Sequence, residues 1–142
     1  MTDGTFQKVQ HSDTRMYGPT KLLLCGFSAQ AQTNFTTLLK MAAFQDLAVV
    51  WVNENDHQKT LRELLDLPDG TGWGAGSTLP RAIIVSGITE NQLHGLMTLC
   101  RQTKMQPALW AALTPTSETW TLGDLLDELQ AERKALAQRA KQ

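Results

Sequence analysis

The chain has 142 residues, 42% of them hydrophobic, and a formal net charge of -1, which suits one globular domain with a core large enough to fold without cross-links. The near balance of charge argues against a role driven by bulk attraction to nucleic acid or to a membrane surface. No apolar run approaches the ~20 residues of a membrane-spanning helix, and the polar N-terminus carries no signal-type stretch.

Residues 1–19 are polar and end in Tyr-Gly-Pro, which reads as a flexible leader with at most a weak edge strand at Thr5 to Gln10, so the domain spans 20–142. Leu22 to Cys25 is a continuous apolar run closed by Gly26, the pattern of a strand covered on both faces. Ser28 can cap the following helix, whose stripe is Ala31, Phe35, Leu38, Leu39 and Ala42. Ala48 to Val52 is the second strand. Thr60 to Leu67 is a short helix, with Thr60 and Glu63 at capping-box spacing. Pro68 to Pro80 holds Gly70, Gly72, Gly74 and Gly76, too much glycine for helix or strand.

Ala82 to Val85 is the third strand. Thr89 and Gln92 have capping-box spacing, Ile88 and Leu93 the spacing of a hydrophobic staple, and Leu93, Leu96, Met97 and Cys100 line one helix face. Ala108 to Leu113 is the fourth strand, ended by Pro115, because the residue before a proline avoids the helical region. Thr121 is an N-cap for the last helix, with Asp124 in the capping-box position and Trp120 and Leu125 at staple spacing; the helix runs to about residue 140.

The halves 20–67 and 81–128 align at a constant offset of 61 residues. Leu24 to Ser28 falls on Val85 to Thr89, Ala48 to Val52 on Leu109 to Leu113, and Thr60 to Asp66 on Thr121 to Asp127. Caps, strands and stripes agreeing at one offset predict a duplicated βαβα unit in a small three-layer α/β domain. Two sheets satisfy it. The favoured one is parallel in the order 2-1-3-4, since its strands are continuously apolar and two helices can cover each face. The other is a ferredoxin-like α+β sheet with extra helices, in which strands 1 and 3 are central and antiparallel.

In the parallel sheet the glycine turns after strands 1 and 3 meet at the carboxyl edge where connections diverge, the usual ligand position. Gly26, Ser28, Ser86, Gly87, Thr89, Thr114, Thr116 and Ser117 would wall that crevice, offering hydroxyls and helix N-termini to a small anion. Other chemistry lacks its context. Gly70 to Ala75 fits G-x-G-x-x-A but follows a helix and precedes a strand, and no Walker A sequence occurs. His11, His57 and His94 have no partner at metal-ligand spacing, so neither metal nor cofactor is expected. Glu54 and Asp56 read as solvated loop acids, and Trp73 either covers a pocket or packs the glycine loop onto the body.

Leu113 to Ser117, with Trp120, Leu122 and the Leu125-Leu126 pair, resembles a family of small prokaryotic domains of unknown function. Its pattern is Thr-Pro-Thr-Asn, then Trp, Leu and Leu-Leu, preceded in the first half by a strand ending in Gly-Phe-Ser, here Leu24 to Ser28. Ser117 replaces the Asn. The resemblance covers most of residues 20 to 135, implies an uncharacterised cytoplasmic bacterial protein, and transfers no catalytic residue.

The leading expectation is a non-enzymatic binding or regulatory module for a small anionic ligand or a protein partner. One alternative is an enzyme of modest chemistry using Cys25 and the hydroxyl turns, with Cys25 beside a helix N-terminus. Another is self-association as a homodimer through the C-terminal helix. Cys25 and Cys100 lie in apolar periodic segments, as free thiols do in a reducing cytoplasm.

Overall fold

A computed structural model describes residues 14–42, 44 and 46–140 and places a strand at each of the four apolar runs: β1 (Lys21–Cys25), β2 (Ala48–Val52), β3 (Ala82–Ser86) and β4 (Leu109–Ala112). Four helices fill the connections: α1 (Ala29–Met41), α2 (Leu61–Leu65), α3 (Glu90–Gln102) and α4 (Leu122–Ala140). Their starts are fixed by the side chains that the spacing singles out. Ser28 accepts from the Ala31 N–H, Thr60 and Thr89 complete capping boxes with Glu63 and Gln92, and Thr121 accepts from the Asp124 N–H at 3.2 Å.

The expected strand segment Thr5 to Gln10 lies outside the described residues. Residues of the expected leader that are described are tied to the domain: the Met16 N–H donates to Ile88 O at 2.9 Å and the Gly87 N–H to Tyr17 O at 3.0 Å.

The strand order is β2-β1-β3-β4, as expected. The directions are not all parallel. β1 pairs parallel with β2 and β3 with β4, but β1 and β3 are antiparallel, with Lys21 opposite Ser86 and Cys25 opposite Ala82. The sheet is therefore mixed. It is not ferredoxin-like either, because each outer strand lies beside the strand that precedes it and neither βαβ unit is split.

The glycine loop explains the direction. The Lys21 ammonium donates to Leu65 O and Leu67 O at 2.8 and 2.7 Å, so α2 ends at the edge where β1 begins. A third strand entered from there would run parallel to β1. Instead the loop carries the chain back along the outer edge of β2. The Gly70 N–H donates to Val49 O and the Trp51 N–H to Thr71 O, both at 2.8 Å, while Asp69 Oδ1 accepts from the Val49 N–H. Further on, Gln32, 1% exposed on α1, accepts from the Gly74 N–H at 2.7 Å and donates to Ala75 O at 2.9 Å. The Trp73 ring stands edge-on to Trp51 at 5.6 Å, so it packs the loop onto the body. Thus β3 starts at the edge where β1 ends.

Alternation along the strands divides the core into two layers. Leu23, Cys25, Val50, Val52 and Ile84 face α2 and α4, and meet Leu61, Leu64, Leu122 and Leu126. Leu22, Leu24, Trp51, Ile83 and Val85 face α1 and α3, and meet Phe35, Leu39 and Leu96. On the first face the helices touch at their starts. Thr60 and Thr121 form an antiparallel bridge, with the Leu61 N–H donating to Trp120 O and the Leu122 N–H to Lys59 O. Beside it, Arg62 pairs with Glu118 at 2.8 Å.

Candidate functional site

Antiparallel central strands send the two glycine turns to opposite edges, so the eight expected site residues do not share a crevice. Gly26 and Ser28 lie where β1 ends; Ser86, Gly87, Thr89, Thr114, Thr116 and Ser117 lie at the other edge. The hydroxyls of this set are largely committed within the chain. Ser28 and Thr89 cap helices, and Thr114 and Ser117 each accept from the other's N–H at 3.0 Å. Thr116 contributes its carbonyl to the Thr119 hydroxyl. Ser86 Oγ is buried without a hydrogen-bond partner among the described residues.

Of the two acids after β2, Glu54 is exposed, as expected, but Asp56 is buried and structural. A 3-10 turn at Glu54–Asp56, not foreseen from the sequence, is capped by Asn53. Asp56, 8% exposed, accepts from the Asn53 N–H at 3.0 Å and from Lys59 at 2.8 Å. Glu54 accepts from the hydroxyl and the N–H of Thr78, which hold its carboxyl below the usual range.

Cys25 is fully buried, and burial, with a smaller contribution from the Asp56 charge, pushes its thiol far above the ordinary value. A thiolate nucleophile is not available there at neutral pH. Cys100 is only partly buried, on the inner side of α3, and its thiol is raised by desolvation and lowered in part by Arg81. Titration of the folded protein with a thiol-specific disulfide reagent is expected to label Cys100 first, and Cys25 only on unfolding. Equal rates would contradict this burial.

At the edge where β1 ends, one charge stands out. Arg81, between Pro80 and the first residue of β3, lies beside the Gly26 turn because Cys25 pairs with Ala82. Its Nε donates to Gly26 O at 3.0 Å, and its guanidinium carbon lies 4.0 Å from the centre of the Phe27 ring. Phe27 is held in turn by Phe35 and Trp51, at 5.4 and 5.7 Å. The cation is thus oriented by a rigid aromatic group. No carboxylate pairs with it among the described residues, and burial without a counter-ion lowers its pKa.

Two cavities meet at this guanidinium. One, of about 440 Å³, runs along α1 from Ala31 to Met41 and is closed on the other side by Leu99 and Met105. The second, of about 340 Å³, lies beneath Met97, Cys100 and Trp110. Arg81, Met105 and Gln106 line both. Lys104, on the rim of the first, has φ 58° in the turn that ends α3. There the Met105 N–H returns to Cys100 O at 3.2 Å, the Schellman pattern, in which glycine is the usual residue at the left-handed position. The arrangement offers an apolar trough with one fixed cation and four further N–H donors on its terminal nitrogens.

No group of histidine, cysteine and acidic side chains that could hold a metal ion occurs among the described residues, and none of their helices is long and apolar enough to cross a membrane. Comparison with curated proteins and with solved structures finds no match. Residues 81–136, from Arg81 through β3, α3 and β4 into α4, match the model of a domain of unknown function, DUF3783.

Proposed function

We propose that the protein is a non-enzymatic binding module for an amphipathic anion, whose tail lies in the trough between α1 and α3 and whose charged end meets Arg81. The observation that carries this is the half-buried guanidinium, oriented on Phe27, without a counter-ion among the described residues, at the junction of two apolar cavities. A half-buried charge without a counter-ion is incompletely compensated, and an anionic ligand supplies the missing partner. The anion expected at the hydroxyl turns is accordingly reassigned to Arg81. Two free cysteines, one of them wholly buried, favour a reducing cytoplasm as its location.

We also infer that the fold arose by use of one βαβα unit twice. The support is that Lys21 pairs with Ala48 as Ala82 pairs with Leu109, that Gly26 O accepts from Arg81 as Gly87 O accepts from Thr20, and that the two bridge bonds are reciprocal. Each of these pairs is related by the offset of 61 residues.

Calorimetric titration with decanoate tests the binding proposal. Saturable one-to-one binding is expected, and Arg81→Met is expected to weaken it by at least tenfold, since a charged hydrogen bond contributes about 1.5–3 kcal/mol. Equal affinity in a variant that is still folded, or no binding to the wild type, would overturn it.

A further inference from the structure

A third cavity touches Arg81 from the other side of the sheet. It has a volume of about 490 Å³ and lies between Pro80 and Pro107, at the starts of β3 and β4, and the later turns of α4. From α4 it receives Gln130, Arg133, Lys134 and Ala137, whose spacing puts them on one helix face. Three cations, Arg81, Arg133 and Lys134, therefore line one concavity, and no aspartate or glutamate of the described residues lines it. Neither Arg133 nor Lys134 has an ion pair among the described residues. Of the acids of α4, Asp124, Asp127 and Glu128 line a separate hollow near Trp120, and Asp127 also borders a small hollow with Gln130 and Lys134. A chain of net charge -1 has thus gathered positive charge at the edge where its apolar trough opens.

We propose that this cavity receives a phosphomonoester, the charged end of a ligand whose tail occupies the trough, so that Arg81 serves both. The inference rests on the amphipathic-anion reading of the trough and specifies the head group. A carboxylate carries one charge and suits a single guanidinium fork. A phosphate monoester carries about -1.5 to -2 near neutral pH and three acceptor oxygens, which matches three cations approaching from two sides. The tail-bearing and free forms of phosphate share this chemistry, and the test separates them.

Titration of the full chain with decyl phosphate, decanoate and inorganic phosphate, each in the wild type and in the Arg133→Gln/Lys134→Gln variant, reads the head group apart from the tail. The two positions are exposed on α4, so the variant is expected to keep the wild-type melting midpoint. Decyl phosphate is expected to bind at least tenfold more tightly than decanoate, and the variant to lose that margin while decanoate stays within twofold. Equal affinity of the two amphiphiles, or a margin that survives in the variant, would overturn the phosphate proposal and leave the trough standing. Inorganic phosphate binding as tightly as decyl phosphate would identify a free-phosphate site and overturn the link to the tail. Failure of both amphiphiles would remove the trough reading, and with it the head group proposed on it.

Discussion

Gly26→Ala is expected to destabilise the fold by about 3 kcal/mol, enough to be read directly from a urea midpoint. The residue has φ +77°, where an L side chain costs roughly 1–2 kcal/mol. A Cβ there would also meet Leu79 O, Pro80 O at 2.8 Å and Arg81 N at 2.9 Å, all backbone atoms of the segment entering β3. Because Cys25 pairs with Ala82, that segment cannot withdraw without opening the central strand pair. Gly74→Ala is the matched control. Its φ is +89°, but nothing lies within 4 Å of the added Cβ, so a loss of only about 1 kcal/mol is expected. Similar losses for the two variants would mean that close approach at the Gly26 turn contributes nothing. The larger effect should extend to binding, since Gly26 O holds Nε of Arg81.

Leu61→Ala and Leu122→Ala are each expected to cost about 3 kcal/mol, within the range for emptying a fully buried leucine site. Both side chains are 0% exposed in the layer beneath β1 and β3, and their N–H groups make the reciprocal bonds at the Thr60–Thr121 bridge. Neighbouring sites that share a cavity are not additive, so the double variant should depart from the sum of the two by about 1 kcal/mol. Each single variant should still unfold in one transition, followed by tryptophan fluorescence and circular dichroism together. Separate transitions, with only one half lost, would refute a single cooperative unit.

Local structure was legible because local chemistry specifies it. Ser28, Thr60, Thr89 and Thr121 cap the helices that their spacing predicts, and the apolar runs are strands in the expected order. The direction of β3 was not legible. It depends on contacts between loop and body that leave no periodic signal: Gly70 and Thr71 along the edge of β2, Gln32 reaching Gly74 and Ala75. Once that direction was misjudged, the crevice at the glycine turns followed wrongly. Arg81 was missed for a related reason. A lone arginine before a strand is unremarkable until the antiparallel register sets it against Phe27, and until three dimensions establish that no acid among the described residues answers it. Asp56 was misread because its capping partner Asn53 sits in a turn too short for a hydrophobic stripe to announce.

The central antiparallel pair also bears on how quickly the chain finds its structure. β1 with β2, and β3 with β4, each close through one intervening helix, so both units can form from contacts near in sequence. Joining β1 to β3 closes a loop that contains α1, β2, α2 and the glycine loop. Closure entropy makes such distant contacts the slow ones. The loop that reverses the path of the chain is then the segment whose ordering is expected to limit the folding rate, after the two strand pairs that it connects.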